Sequence, residues 1–349
     1  MQVYKIDPLG DPRWVEFTHG HAHASVFHTR EWLDSIHRTY GYKAVVYTTS
    51  RPTGKLTNGL VFFGIRSWFT GSRLVSLPFS DHCEPLVDSA EEFDFLVDCL
   101  QAEMNHRDWR YVEVRTANGQ FERKGQLAGF CLADSYYLHR LDLRPSLDEI
   151  FQSLHKDSAQ RRIRRAEKAG VSFKSGRSES LLRDFYALLL LTRKRHRLPP
   201  QPFVWFQNLA ECMADALDVR IAYWDGLPIA SVLTLRFRNT TYYKYGCSDA
   251  RFHNLGAMPA LFWETIQASK TGGCAEFDLG RSECDNEKLI AFKNHWTREH
   301  SRLQYWRYPA SSRPSLTEGW KLRMAKRAFA YMPNSLLALT GRLAYRHIG

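Results

Sequence analysis

Asp218 to Trp224 reads DVRIAYW, with apolar and polar positions alternating as they do in a strand that keeps one face in a core. Asp225-Gly226 follows, a pair suited to the two left-handed conformations of a tight hairpin, and Pro228 to Phe237 (PIASVLTLRF) is the returning strand. Thr241 to Gly246 (TYYKYG) gives a third strand. After the loop CSDARFHNLGAM the helical period of PALFWETIQASK takes over, with Pro259 tolerated because an N-H in the first turn has no intrahelical partner. Gly272-Gly273 stops that helix. Ala275 to Leu279 is a fourth strand, Glu287 to His295 a short helix, and Leu303 to Tyr308 a fifth strand.

The first half repeats this order with little identity. Lys43 to Thr48 and Gly59 to Arg66 flank a Pro-Gly loop, Arg73 to Leu77 follows, and the loop PFSDHCEPLVD leads to a helix from Glu91 to His106. Tyr111 to Arg115, a short helix over Asn118 to Ala128, and Tyr136 to Leu141 complete it. Such a repeat points to an internal duplication at domain scale. Between the halves, Ser146-Leu147-Asp148-Glu149 is a capping box whose helix carries Leu147, Ile150, Phe151 and Leu154 on one face. The pattern weakens over Lys156 to Gln160 and resumes at Ile163 and Ala166. Two further helices, Glu179 to His196 and Phe203 to Leu217, are separated by LPPQP.

Composition changes this picture only in part. A 349-residue chain with 44% hydrophobic residues supports about two packed domains. The leucine run Leu188 to Leu191 is far short of the ~20 residues that span a bilayer. The opening MQVYKIDPLGDPRW lacks a basic and an apolar signal region, and seven cysteines without C-x-x-C spacing fit a reduced, cytoplasmic protein. The formal charge of +11 is uneven: Ala310 to Gly349 holds seven Lys or Arg against Glu318, and Lys156 to Lys168 holds six against Asp157 and Glu167. These blocks favour anionic partners, whether nucleotide, tRNA, phosphorylated lipid or membrane surface.

The familiar phosphate-loop, dinucleotide, nucleophile-elbow and zincin motifs are absent. HGHAH, at His19, His21 and His23, lacks a carboxylate or Cys at ligand spacing and reads as an exposed loop; no metal site is expected. In SDHC, Asp81 and His82 are candidates for substrate binding, and Cys83 reads as a small packed hydrophobe rather than a nucleophile. Arg161, Arg162 and Arg165 are candidates for phosphate, since guanidinium is its bidentate partner, with a solvated helix face as the alternative. WKLRMAKRAFAYM interleaves basic and apolar residues, as a membrane-interface helix or a helix docked over the core would.

The order of elements is similar to the GNAT acyltransferase fold. Two such units, with KDSAQRRIRRAEKAGV opening the second and FDLGRS and FKNHW near its end, resemble the Fem-type, or FemAB-like, family of aminoacyl and acyl transferases over roughly Val26 to Pro309. The fold class expected is therefore α+β, with two tandem GNAT-like domains (1–145 and 218–309), a helical linker (146–217) and a basic helical segment (310–349). The resemblance implies transfer of an amino acid from aminoacyl-tRNA to a lipid-linked peptidoglycan precursor, with other activated acyl donors in relatives. Two features depart from the family: no heptad run supplies the coiled-coil arm of some tRNA-using members, and only Gly256 remains of a glycine-rich pyrophosphate loop.

Acyl transfer to an amine needs a neutral nucleophile, alignment, and stabilisation of the carbonyl oxyanion. The expected site lies where Thr241 to Gly246 parts from Ala275 to Leu279. Backbone amides near Tyr245 or Gly246 meet the carbonyl, and Lys293 or Arg281 supplies positive charge. Asp278 holds Arg281 or accepts a proton, while Tyr243, on the same strand face as Tyr245, positions substrate; Trp296 anchors the site. The donor, a co-substrate rather than a bound cofactor, is aminoacyl-tRNA, acyl-CoA or acyl carrier protein; the acceptor is an amine of a cell-envelope or exopolysaccharide precursor, lipid-linked in one version. The competing readings are a CoA- or carrier-dependent transferase for a small amine, and a non-catalytic module for anionic ligands. A peripheral position on the inner membrane face follows from the C-terminal segment.

Overall fold

The computed structural model describes residues 2–68, 71–104, 109–117, 129–309 and 332–348. The chain divides into two compact units. Unit 1 takes the described residues of 1–136, 302–316 and 345–349, and unit 2 those of 137–301 and 317–344. Two expected segments, the helix over Asn118 to Ala128 and most of WKLRMAKRAFAYM, lie outside the described residues.

Unit 1 opens with β1 (Tyr4–Ile6), α1 (Arg13–Gly20) and α2 (Arg30–Tyr40), then β2 (Lys43–Thr48), β3 (Leu60–Ser67), β4 (Gly71–Val75), α3 (Ala90–Met104) and β5 (Tyr111–Thr116). The long β6 (Cys131–Asp142) passes from unit 1 into unit 2, and β12 (His300–Tyr308) returns. Strand order in unit 1 is β1-β2-β3-β4-β5-β12, antiparallel except for the parallel pair β4 and β5. The amphipathic α3 buries Phe93, Leu96, Val97 and Leu100 against Tyr47, Phe62, Leu74, Val112 and Val114.

Unit 2 contains α4 (Leu147–Ser153), α5 (Arg161–Lys168), β7 (Ser172–Gly176), α6 (Glu179–His196), α7 (Phe203–Met213), β8 (Leu217–Trp224), β9 (Leu227–Phe237), β10 (Thr240–Ser248), α8 (Ala257–Thr271), β11 (Glu276–Glu283) and α9 (Glu287–Asn294). Its strand order is β6-β11-β10-β9-β8-β7, with β10 and β11 the parallel pair. Local chemistry sets the boundaries. The Ser146 and Glu149 capping box starts α4, with Ser146 N-H on Glu149 Oε2 at 2.7 Å and Glu149 N-H on Ser146 Oγ at 3.2 Å. Asp225 and Gly226 both take positive φ, 49° and 74°, as a tight hairpin between right-twisted strands demands. Where the apolar period falters, Lys156–Gln160 forms a single π-helical turn that leads into α5.

α8 supplies the core on one side of this sheet. Leu261, Phe262 and Ile266 pack with Ala222, Ile229, Val232, Phe277 and Leu279. Fully burying a Leu, Ile or Phe side chain stabilises by about 1.5 to 3 kcal/mol each, enough to hold β10 and β11 on a common helix even where they do not pair. β1, α1, α2 and β7 are additions to the expected elements, although Trp32, Leu33, Ile36 and Tyr40 on α2 do recur at helical spacing.

Candidate active site

The parallel ladder between β10 and β11 has three rungs, Thr240 with Glu276, Thr241 with Phe277 and Tyr242 with Asp278. Beyond them β10 runs on to Ser248 and β11 to Glu283 with no positions paired to each other. Two local features part the strands. On β10 the pairing with β9 slips between Tyr243 and Tyr245, so Lys244 is an extra, bulged residue that bends the strand. On β11, Gly280 takes φ 71°, a left-handed conformation that glycine adopts without a Cβ penalty, and Asp278 Oδ1 accepts its N-H at 2.7 Å.

Lys293 locks the β11 turn. It stands in the last turn of α9, a helix started by the Asn286 side chain accepting from Leu289 N-H. Although only 2% exposed, its ammonium donates to Gly280 O and Arg281 O, both at 2.7 Å. A buried ammonium is costly unless hydrogen-bonded, and these carbonyls, turned out of the ladder by Gly280, are what makes its burial tolerable. Asp278, also 2% exposed, lies 3.7 Å from Arg140 Nε on β6 through its other oxygen. Its carboxylate thus steadies the Gly280 turn and faces Arg140, while Arg281 is half-buried one residue past that turn.

His139, Arg140 and Asn294 belong to this cluster and were not expected from the sequence. His139 on β6 is fully buried, with Nε2 3.2 Å from Asn294 Oδ1. The carbonyl oxygen fixes the proton on Nε2, and Nδ1 is buried without a hydrogen-bond partner among the described residues. Burial first, and the Lys293 charge next, draw its pKa down to about 4. At neutral pH it is an uncharged ring, too weak a base to deprotonate an alkylammonium, and it orients Asn294 beside Lys293. The sequence signal was a histidine and an arginine interrupting an otherwise ordinary strand, too common a pattern to single out.

A cavity of about 230 Å³ lies at the N-terminus of α8, lined by Ser158, Arg162, Ser248, His253, His295 and Trp296 with apolar neighbours. The indole N-H of Trp296 is buried with no acceptor among the described residues. Burial lowers the pKa of both His253 and His295, with Arg195 adding to the effect on the first, and His155 and Arg162 on the second. Helix α8 begins here without a side-chain cap, so its first amides and dipole favour an anion. Gly256 has a second role beyond loop flexibility: at φ 77°, a Cβ there would stand 2.3 Å from Arg162 O, so glycine lets α5 and α8 meet backbone to backbone.

The remaining expected residues divide as follows. Tyr243 packs on Phe262 of α8, whereas Tyr245 turns to α6 and α7, its hydroxyl accepting from Trp205 Nε1 at 2.9 Å and its ring against Phe185 and Phe206. The two do not share a face, because the bulge at Lys244 shifts the alternation by one residue. Only the backbone of Tyr245 stays available to the gap. Gly246 lies directly under Tyr243: a Cβ would come within 1.9 Å of the tyrosine hydroxyl. Arg161 pairs with Asp157 at 2.5 Å and Arg165 donates to Asn254 O at 3.2 Å, both exposed on α5, while Arg162 reaches the cavity. Asp81 and His82 are in unit 1, where Asp81 O accepts from Tyr305 Oη at 2.6 Å and His82 is buried edge-on to Phe27.

A sheet whose parallel pair parts over a helix N-terminus is the architecture of GNAT-fold acyltransferases. The acetyltransferase (GNAT) domain model matches residues 153–294. A relative, UDP-N-acetylmuramoylpentapeptide-lysine N(6)-alanyltransferase of Weissella viridescens, is 25% identical over 165 residues; the match spans 46% of this chain and about half, 47%, of the relative. The crystal structure of FemX superimposes with a TM-score of 0.69 at 12% identity, covering 93% of this chain and all of that one. A tandem GNAT protein from the clavulanic acid biosynthesis pathway gives 0.56 at 10% identity, covering 90% of this chain and all of the other. At such identities the structural matches establish a tandem GNAT fold.

Proposed function

We propose that the chain is an N-acyltransferase of the aminoacyl-transferring type, moving an activated aminoacyl or acyl group onto an amine of a cell-envelope precursor. The observation that carries this reading is the unpaired stretch between β10 and β11, braced on one side by Lys293 and open at α8 to a cavity that Arg162 and the uncapped helix end make favourable to anions. The relative from Weissella, named for alanyl transfer to the lysine of a muramoyl pentapeptide, supports the choice of acceptor class.

The donor lies with its anionic end at Arg162, His253, His295 and the first amides of α8, and its carbonyl in the gap. Along an unpaired strand edge every second amide points outward. The N-H groups of β10 near Tyr245 and Gly246 therefore meet the oxyanion as it forms, an interaction worth about 3 kcal/mol, or roughly a hundredfold in rate. The neutral amine attacks the carbonyl carbon to form a C-N bond. Collapse of the tetrahedral intermediate breaks the bond to the donor's oxygen or sulfur, which leaves with the proton the amine gives up. Lys293 acts as a positioning residue that fixes the β11 wall, and Arg281 offers charge at its rim.

Aminoacyl-tRNA is the donor we favour, and a lipid-linked precursor the acceptor, since both present the phosphates that the basic surfaces select. Incubating the purified protein with a muramoyl pentapeptide precursor and, separately, charged tRNA, acyl-CoA and acyl carrier protein tests this by mass spectrometry. A mass increase of one aminoacyl residue with charged tRNA is expected. Transfer from acyl-CoA alone would replace the donor, and no product with any donor would leave an anionic-ligand binding module.

A further inference from the structure

The C-terminal helix Asn334–Ile348 buries one side and leaves another uncovered. Leu337 is fully buried, and a Cβ on Gly341 would stand 1.9 Å from Pro200 O, so the Leu337 and Gly341 side is the docked one. Leu336, Leu339 and Leu343 are 50%, 50% and 63% exposed. At 100° per residue these three fall within one narrow stripe, away from the docked side. Arg342 and Arg346, exposed and one turn apart, flank it. Along the same helix the stripe continues to His347.

Exposed leucines in isolation need no explanation, but a stripe of three flanked by two arginines does. We propose that this helix face lies on an anionic lipid surface, its leucines entering the acyl boundary and Arg342 and Arg346 meeting phosphate headgroups. Charge favours lipid over a second copy of the chain. Packing the face on itself would bring the arginines together, and the segment just before it adds Arg313, Lys321, Arg323, Lys326 and Arg327 in sequence against only Glu318. An anionic surface neutralises Arg342 and Arg346 together. No described helix is long and apolar enough to cross a membrane, so the attachment is interfacial. The proposal is independent of the proposed transfer reaction.

Co-sedimentation of the full chain with vesicles tests it. Binding to phosphatidylglycerol-containing vesicles, weakened by high salt, and no binding to phosphatidylcholine alone are expected. The Leu336→Ser, Leu339→Ser, Leu343→Ser triple variant should bind at least ~tenfold less, and the Arg342→Gln, Arg346→Gln double variant should lose the preference for anionic lipid. If the triple variant melts differently from the parent, the arginine variant, which alters only exposed side chains, decides the matter. Equal binding by the variants, no binding to anionic vesicles, or a dimer in sedimentation velocity that the leucine changes dissolve would each overturn the proposal. Transfer to a water-soluble acceptor should be unchanged in both variants, which separates this result from any failure of the enzymatic reading.

Discussion

Each unit contains a parallel strand pair of three rungs, and the two pairs are treated in opposite ways. In unit 2, β10 and β11 part after three rungs and leave a gap. In unit 1, β4 and β5 also have three rungs, Arg73 with Tyr111, Leu74 with Val112 and Val75 with Glu113, but the chain leaving β4 then fills the space. Ser76 N-H donates to Glu113 O at 2.8 Å, Arg115 N-H to Ser76 Oγ at 2.8 Å, and Cys83 N-H to Arg115 O at 2.9 Å, while Ala117 N-H reaches Glu84 Oε1. Arg115 ties the loop further through Leu77 O and Ser80 O, and Glu113 binds both Arg115 and Arg307. Leu77 and Phe79 hold positive φ, 61° and 63°, a strain that the buried contacts of Leu77 and this network sustain. The duplicated topology thus yields one open edge and one sealed by its own chain. What decides between them is the connecting loop, not the order of elements.

The largest expected effect breaks the open edge. Lys293→Ala removes the donor for two buried carbonyls and should reduce transfer by at least ~100-fold. Unpairing buried carbonyls costs about 1 to 3 kcal/mol each, so the melting midpoint should fall by several degrees as well. Thermal melts and single-turnover rates on the same preparation check both parts. Full activity would remove Lys293 from the site.

Gly246→Ala comes next. Its new methyl would collide with the Tyr243 hydroxyl, whose ring is held against Phe262, so either the tyrosine or the β10 edge must move. A loss of about tenfold in turnover, with a smaller change in stability than Lys293→Ala, is expected from a displacement of less than a residue's width. Unchanged turnover would show that the carbonyl is polarised elsewhere.

Acid should test the sealed edge. His28, fully buried, donates from Nε2 to Glu84 O (2.9 Å) and lies 3.3 Å from Cys83 Sγ, and burial draws its pKa down to about 3. Below its ordinary pKa of 6.5 the unfolded chain takes up a proton that the folded chain refuses. Stability is therefore complete above pH 6.5 and falls toward pH 3, by about 1.4 kcal/mol per unit of pH within that window. His139 adds the same sign down to about 4 in unit 2. Denaturant midpoints at neutral and acidic pH should show a slope that His28→Gln reduces; a slope unaltered by that change would assign the acid response to other groups.

Much of this was legible in the sequence because it is written in short-range patterns. The β8 to β9 hairpin, the α4 capping box and the bounds of α6 follow from neighbours a few residues apart. The fold class and the family resemblance rest on such elements repeated in order. The division of labour in β10 did not, since a single bulge at Lys244 reverses the facing of every later side chain and no residue type announces it. His139, Asn294 and Lys293 come from β6 and α9, far apart in sequence, and their grouping depends on where α9 lands. The sealing of unit 1 was hidden for a similar reason: SDHC offers the same functional groups whether it lines a cleft or fills one.

The smallest effect tests that last distinction most directly. Cys83 is buried, and burial, with the Glu84 carboxylate adding, pushes its thiol well above the ordinary range, so at neutral pH it is an uncharged, poorly nucleophilic group. His28, with its depressed pKa, cannot relieve this by forming an imidazolium beside a thiolate. A His and a Cys 3.3 Å apart would otherwise resemble a catalytic pair. Cys83→Ala should therefore leave the transfer rate within about twofold and cost on the order of 1 kcal/mol of stability from lost packing. Iodoacetamide should label the native thiol far more slowly than the unfolded one. If Cys83→Ala instead abolishes transfer without unfolding, the loop of unit 1 belongs to the chemistry, and the two strand pairs differ in role less than in shape.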